Sequence, residues 1–131
     1  MSIIEFAYTK YRDMMVPMIP VKMKGQERWF EFWAFVDSGA TYSIFASKEA
    51  EALGLDMEKG RRGMVVVGDG SYIPVNFFNI PIRIADIELT ATIGFSERLG
   101  VGFNLLGRKG VFDLFIVCFN DREEKVTFQK S

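Results

Sequence analysis

The sequence predicts a mainly β chain with one or two short helices, and three observations lead there. Apolar and β-branched residues come in short runs, several with period-two alternation, as in Glu88-Leu89-Thr90-Ala91-Thr92-Ile93. Clusters of Gly, Asn and Asp, such as Gly68-Asp69-Gly70, punctuate those runs. One stretch, Ser47 to Leu53, carries helix signals at both ends.

In chain order, Phe6 to Tyr11 and Met18 to Met23 are expected strands, because β-prone residues cluster or alternate in both. Lys24-Gly25-Gln26-Glu27-Arg28 turns the chain into the apolar run Trp29 to Val36, which completes a hairpin. That run ends in Asp37-Ser38-Gly39-Ala40, so a carboxylate is exposed at a strand end while its neighbours stay buried. Thr41 to Phe45 reads as the next strand. In the helix that follows, Ser47 suits the cap, acidic Glu49 suits the positive N-terminal end and Gly54 suits the stop.

Gly60-Arg61-Arg62-Gly63 opens a second hairpin, with Met64 to Val67 and Tyr72 to Val75 flanking the tip Gly68-Asp69-Gly70-Ser71. Two glycines around an Asp suit the positive dihedrals of a tight tip. Asn76 to Ile84 continues as strand, Ala85-Asp86 turns, and Glu88 to Ile93 returns. A Gly-rich loop, Ser96 to Gly102, precedes Phe103-Asn104-Leu105-Leu106-Gly107-Arg108. A short helix is expected at Val111 to Phe115, then strands at Ile116 to Phe119 and Lys125 to Phe128 around the turn Asn120 to Glu124.

The 131 residues, 49% hydrophobic and 25% charged, fit one globular domain over 1–131, with no linker, repeat or low-complexity segment to divide it. A net charge of -1 and no basic cluster longer than Arg61-Arg62 give no electrostatic support to nucleic-acid or anionic-membrane partners. No run approaches the ~18 apolar residues of a membrane span. The N-terminus, with Glu5 and Tyr8 among its apolar residues, does not read as a secretory signal, so a cytoplasmic location is the default expectation.

The chain has no His and a single Cys, Cys118. Zinc sites built from Cys and His, Ser-His-Asp triads and Cys-His dyads are therefore excluded within it. No cofactor fingerprint is present: Gly68-Asp69-Gly70 lacks a third glycine and a following helix, and no phosphate-loop Lys motif occurs. Cys118, inside Leu114-Phe115-Ile116-Val117-Cys118-Phe119, is expected to be a small buried hydrophobe. Trp29, Phe30, Phe32, Trp33 and Phe35 are expected to divide between core and interface rather than form a ligand platform, and Asp69 to form a turn rather than act as an acid.

Asp37 in its Ser-Gly turn remains as the one strong candidate for chemistry. A single carboxylate cannot act as base and acid at once on an unactivated amide. Two carboxylates about 3 Å apart can, because like charges cannot both ionise and their titrations separate. Asp69, Asp86, Asp113 and Asp121 lack the Ser/Thr-Gly context, so the partner would be a second Asp37 from a twofold-related copy.

With Val36 before the turn, Ala40 after it and Asn104-Leu105-Leu106-Gly107-Arg108 downstream, the chain resembles the retropepsin-like aspartic proteases, from about Ile19 to Phe128. The resemblance implies one lobe of the acid-protease fold, a closed β-barrel, working as a homodimer on an extended polypeptide without a cofactor. It implies that Asp37 is catalytic, that the Ser38 hydroxyl braces the two loops across the dimer axis, and that Gly39 lets backbone approach substrate while Ala40 packs beneath. Gly68, Asp69, Gly70 and Ser71 would be the flap tip, Val101 and Phe103 would lie near the side pockets, and Leu105, Leu106 and Gly107 would support the catalytic loop from behind. Retroviral members carry a further Asp directly after the Ala, which pairs with the Arg of Gly-Arg; Thr41 stands there in this chain. The helix at Ser47 is closer to cellular and prokaryotic relatives.

Two functional classes follow. One is an aspartic endopeptidase hydrolysing peptide bonds by water activated between two Asp37 carboxylates. The other is a dimeric peptide-binding or assembly module that keeps the fold with little or no hydrolysis.

Overall fold

The computed structural model describes residues 2–131, which form twelve β-strands, one α-helix and two 3-10 turns. β1 (Ile3–Ala7), β2 (Thr9–Tyr11) and β3 (Met14–Val16) open the chain. The single strand expected from Phe6 to Tyr11 is broken at Tyr8. Its ring turns into the core and its phenol donates to Asp121 Oδ1 at 2.6 Å. Burial, with the Asp121 carboxylate beside it, pushes the Tyr8 pKa up to about 12. Beyond it, β2 and β3 pair as a hairpin with Arg12 in the left-handed region at its tip (φ 57).

β4 (Met18–Lys24) and β5 (Trp29–Val36) form the expected hairpin, closed where Gly25 N–H donates to the Arg28 carbonyl at 2.9 Å. Alternation on β4 buries Ile19, Val21 and Met23, while Lys22 and Lys24 stay exposed. On β5 it buries Ala34 and Val36 and leaves Trp33 on the outer surface.

β6 (Ser43–Ala46) runs directly into α1 (Ser47–Leu53), which stops at Gly54 in the left-handed region (φ 77). Ser47 is the first helical residue rather than the cap. Ala46 occupies the cap with no side-chain bond, because the strand continues to the helix start and leaves no turn for a hydroxyl to fold back. A 3-10 turn at Met57–Lys59, capped where Asp56 Oδ1 accepts from Glu58 N–H, was not evident from the sequence.

The second hairpin pairs β7 (Arg61–Val66) with β8 (Tyr72–Ile84), and β8 turns at Ala85-Asp86 into β9 (Ile87–Ser96). Gly63 lies within β7 rather than in an opening turn, because the Phe77 ring crosses it: an added Cβ would sit 3.1 Å from that ring. β10 (Asn104–Leu106) follows the Gly-rich loop. The helix expected at Val111 to Phe115 is a single 3-10 turn, Phe112–Leu114, and Phe115 already belongs to β11 (Phe115–Asn120), which returns as β12 (Lys125–Lys130).

Seven strands form one sheet in the order β4-β5-β10-β6-β9-β8-β7, and pairing of β4 with β8 through Lys22↔Arg83 and Met23↔Ile82 brings six of them back on themselves. Val21, Phe45, Ile82, Ile93, Phe95 and Leu106 fill the interior. A second sheet, β1-β12-β11, covers one end. Phe128 on β12 is fully buried, with Phe6 and Phe115 edge-on at 5.9 and 5.5 Å. Such contacts add about 0.5–1.5 kcal/mol each beyond area burial. Phe115 and Val117 face this core, so alternation along β11 places Cys118 outside. The thiol is exposed, not buried as expected. No helix among the described residues is long and apolar enough to cross a membrane.

Candidate active site

The local sequence explains why Asp37 is presented as it is. β5 ends on the buried Ala34 and Val36, and the next residue, Asp37, is half-buried at the strand end. Asp37 N–H donates to the Leu106 carbonyl at 3.0 Å, which holds the turn against β10. Gly39 N–H donates to Asp37 Oδ1 at 2.8 Å and Ala40 N–H to the Asp37 carbonyl at 3.2 Å. One carboxylate oxygen is thus held by the turn that carries it.

β10 is the keel beneath this turn. It runs parallel to β5 (Leu105↔Phe35, Leu106↔Val36) and antiparallel to β6 (Leu105↔Ile44), so it threads between the two strands that the turn connects. As β10 leaves, Gly107 N–H donates to the buried Ser43 Oγ at 2.8 Å, Arg108 N–H to the Ala40 carbonyl at 2.9 Å and Lys109 N–H to the Thr41 carbonyl at 2.8 Å. A side chain at Gly107 would overlap the Tyr42 carbonyl and stand 2.9 Å from the Ala40 oxygen, so the crossing admits only glycine. Leu105, Leu106 and Gly107 therefore pass behind the turn, as the sequence reading anticipated.

Ser38 and Gly39 are exposed at the crest, and among the described residues the Ser38 hydroxyl makes no hydrogen bond. No hydrogen bond joins Asp37 to another carboxylate of the same chain among those residues. Arg108 is exposed and forms no salt bridge there either; with Thr41 in the neighbouring position, only its backbone ties it to the turn.

β7 and β8 extend as a hairpin. Its underside joins Ile73, Val75 and Phe77 to Ile44, Leu99, Tyr42, Val65, Val67 and Leu105, a small apolar cluster separate from the main core. The tip is built locally. Gly70, in the left-handed region at φ 85, donates its N–H to the Val67 carbonyl at 2.8 Å, and Val67 N–H donates to the Ser71 carbonyl at 2.9 Å. Asp69 Oδ1 accepts from both the Ser71 hydroxyl and the Ser71 N–H. These bonds, the hydroxyl first, hold the carboxyl below its ordinary value, and they account for Asp69 as a turn former.

Val101 and Phe103 come together in a third place. Val101 is 47% exposed on the rim of a groove of about 530 Å³ that Trp33, Ser47, Leu99 and Phe103 also line. Phe103 is half-buried, stacked on Phe35 at 5.0 Å and edge-on to Tyr11 at 5.3 Å. The turn residues Asp37 to Ala40 do not line that groove. Sequence reasoning missed Tyr11 and Ser43. Ser43 follows Thr41 and Tyr42, so nothing local singled out its hydroxyl for a buried role.

Comparison with known proteins places this architecture. The family model for aspartyl proteases matches residues 19–107, the span from β4 through the Leu105-Leu106-Gly107 crossing. A retropepsin-like aspartic protease from Rickettsia conorii superimposes with a TM-score of 0.67 at 16% identity, over 97% of this chain and 91% of that one. EIAV protease in complex with the inhibitor HBY-793 superimposes with a TM-score of 0.58 at 17% identity, over 81% of this chain and 94% of that one. No curated protein matches the chain in sequence. The strand-borne Asp-Ser-Gly turn, the strand threaded behind it and the β7–β8 hairpin thus lie within the matched span, and the chain belongs to the aspartyl protease family.

Proposed function

We propose that the protein is a homodimeric aspartic endopeptidase in which two copies of Asp37, one from each chain, activate a water molecule against a peptide carbonyl. The observation that carries this reading is the Asp37 turn: one carboxylate, fixed through Oδ1 by Gly39 N–H, with no acidic partner hydrogen-bonded to it in its own chain among the described residues. In the pair, one carboxylate takes a proton from the water as it attacks. The other, protonated, hydrogen-bonds the carbonyl oxygen, and the leaving amine is protonated as the C–N bond breaks. The water attacks directly, so no covalent enzyme intermediate forms.

The remaining residues take supporting roles. The unpartnered Ser38 hydroxyl braces one turn against the other, and Gly39 and Ala40 present backbone to an extended polypeptide. Gly68, Asp69, Gly70 and Ser71 close over that peptide and exclude bulk water. The apolar cluster of Ile44, Ile73, Val75, Leu99 and Leu105 supports the wall between turn and hairpin, and Val101 and Phe103 shape the adjacent loop.

Cleavage of a diverse peptide mixture from acidic to neutral pH tests this, with wild type compared with Asp37→Asn and a statine-type transition-state mimic added. Proteolysis that the substitution abolishes and the mimic blocks is the expected result. If both proteins are folded dimers and equally inert, the proteolytic reading falls and a peptide-binding module takes its place.

A further inference from the structure

An apolar floor begins beside the Asp37 turn and runs outward beyond the residues given a role above. Register partners on neighbouring strands share a face of the sheet, so Phe35, Leu105 and Ile44 form one row across β5, β10 and β6. The buried Val36 and Leu106 lie on the opposite face. At one end of the row the β7–β8 hairpin packs down, where Ile73, Val75 and Phe77 join Ile44 and Leu105. At the other end it continues through Phe103, stacked on Phe35 at 5.0 Å, to Tyr11, edge-on to Phe103 at 5.3 Å. Tyr11 belongs to the β2–β3 hairpin, which lies outside the span 19–107 matched by the family model, so features shared across the family do not prescribe it.

The hairpin is held against this floor. Thr9 donates its hydroxyl to the Met18 carbonyl at 3.2 Å, which ties β2 to the start of β4. Gly102, just before Phe103, makes room for Tyr11: an added Cβ would overlap the Tyr11 hydroxyl and stand 3.9 Å from a guanidinium nitrogen of Arg12. The Arg12 guanidinium is 5.4 Å from the centre of the Tyr11 ring. Its backbone is left-handed at φ 57, where glycine would be less strained, yet a long cationic side chain stands there. Arg12 is exposed and forms no ion pair among the described residues, although Asp13 follows it. Lys10 and Asp13 offset each other, so the hairpin sets one uncompensated cation at the outer end of the floor.

We propose that the β2–β3 hairpin determines substrate specificity, Arg12 selecting extended peptides with an Asp or Glu outward of an apolar residue seated on Phe35 and Phe103. The inference rests on the reading that the Asp37 turn acts on an extended polypeptide. Side chains on one face of such a peptide recur every second residue, ~6.6 Å apart. An apolar side chain on Phe35 and Phe103 therefore brings the residue two positions farther out to Tyr11 and the guanidinium. Its carboxylate accepts from the guanidinium N–H groups, and its stem lies on the Tyr11 ring. A lysine at that position meets like charge and is rejected. In the twofold pair one Arg12 stands toward each end of the cleft, so an acid on either side of the apolar residue is favoured.

The test uses the full chain and peptides with an apolar centre in which Glu, Gln or Lys is placed at each flanking position in turn. With Glu two residues from the apolar side chain, kcat/KM should exceed that of the Lys peptide by at least ~5-fold at low salt. Added salt should shrink the ratio. Arg12→Glu should invert the order. Arg12→Gly, which also relieves the positive φ, should remove the preference without lowering the melting temperature, so its loss is not a loss of fold. Binding of the same peptides, labelled and followed by fluorescence anisotropy, separates this inference from the chemistry. A wild type that binds with the Glu preference, inverted by Arg12→Glu, but cleaves nothing upholds the inference and removes the proteolytic reading. Cleavage with a charge order that Arg12→Glu leaves unchanged overturns the inference and leaves the chemistry intact. A protein that neither binds nor cleaves any of the peptides overturns both.

Discussion

The turn at Asp37 and the hairpin tip at Asp69 are both short, acidic and glycine-bearing, yet the fold treats them in opposite ways. The Asp37 turn is bonded to its own carboxylate, to β10 beneath it and to the segment that leaves β10. The Asp69 tip is bonded only to itself, and a side chain built at Gly68 or Gly70 meets nothing within 4 Å. The first is fixed by long-range contacts that any change disturbs; the second can move as a unit without breaking them. The function proposed above, in which a carboxylate is held to a fraction of an ångström while a chain enters and leaves, would need both.

Substitutions can break or sharpen that contrast, and the largest effect is expected at the carboxylate itself. Asp37→Asn should lower peptide cleavage by at least ~10²-fold, since it removes the group that exchanges protons in the proposed mechanism. Its melting curve should be nearly unchanged, because the amide oxygen can still accept from Gly39 N–H. Gly107→Ala is next. A methyl group cannot pass the Tyr42 and Ala40 carbonyls, so a loss of about 3 kcal/mol or more is expected in denaturant titration. Gly70→Ala, strained by its positive φ but facing open space, should cost about 1–2 kcal/mol, and Gly68→Ala within about 0.5 kcal/mol. Equal losses at Gly107 and Gly68 would refute the contrast.

Ser43→Ala leaves the buried Gly107 N–H without an acceptor and should cost about 1–3 kcal/mol, with cleavage falling along with stability. The smallest effect is a pH dependence at the tip. The Asp69 carboxyl lies below its ordinary value of 3.8 because the ionised form accepts from Ser71. Its contribution is therefore complete above that value and fades as pH falls through the lower, folded-state one. Amide exchange at Ser71 should stay equally protected, after correction for intrinsic rates, from neutral pH to about pH 4 and weaken only below it. In Asp69→Ala that protection should already be low at neutral pH.

Much of this was legible in the sequence where local signals and packing agree. Trp29 to Val36, with its sharp end at Asp37, is a strand on any reading, and Gly54 stops the helix where a left-handed residue is required. The pairing of Leu105-Leu106-Gly107 behind the Asp37 turn came from resemblance, since nothing local says that two segments so far apart will meet. The failures have physical causes. Cys118 was assigned to the core because its neighbours are apolar, but an edge strand can be apolar on both faces when neither reports burial alone. Ser47 has the composition of a cap in a place where the preceding strand leaves no room for one. Tyr8 interrupts a β-prone run because its ring is needed in the core and its hydroxyl reaches Asp121, over a hundred residues away along the chain. Phe103 stacks on Phe35 and meets Tyr11 edge-on, a contact that depends on a hairpin the sequence did not announce.

β8 carries one more consequence, a mechanical one. From Asn76 to Ile84 it is clamped along its length by β9, whereas from Tyr72 to Val75 only β7 accompanies it. The passage from the doubly paired to the singly paired span is marked by Pro74, whose nitrogen offers no ladder donor and whose carbonyl is pinned by the Ser96 hydroxyl at 2.8 Å. The hairpin is thus a cantilever with a defined fulcrum. Load applied at the tip becomes bending moment at Pro74 and Ser96, and the clamped length beyond carries the reaction into the β4 pairing at Met23 and Ile82 on the far side of the barrel.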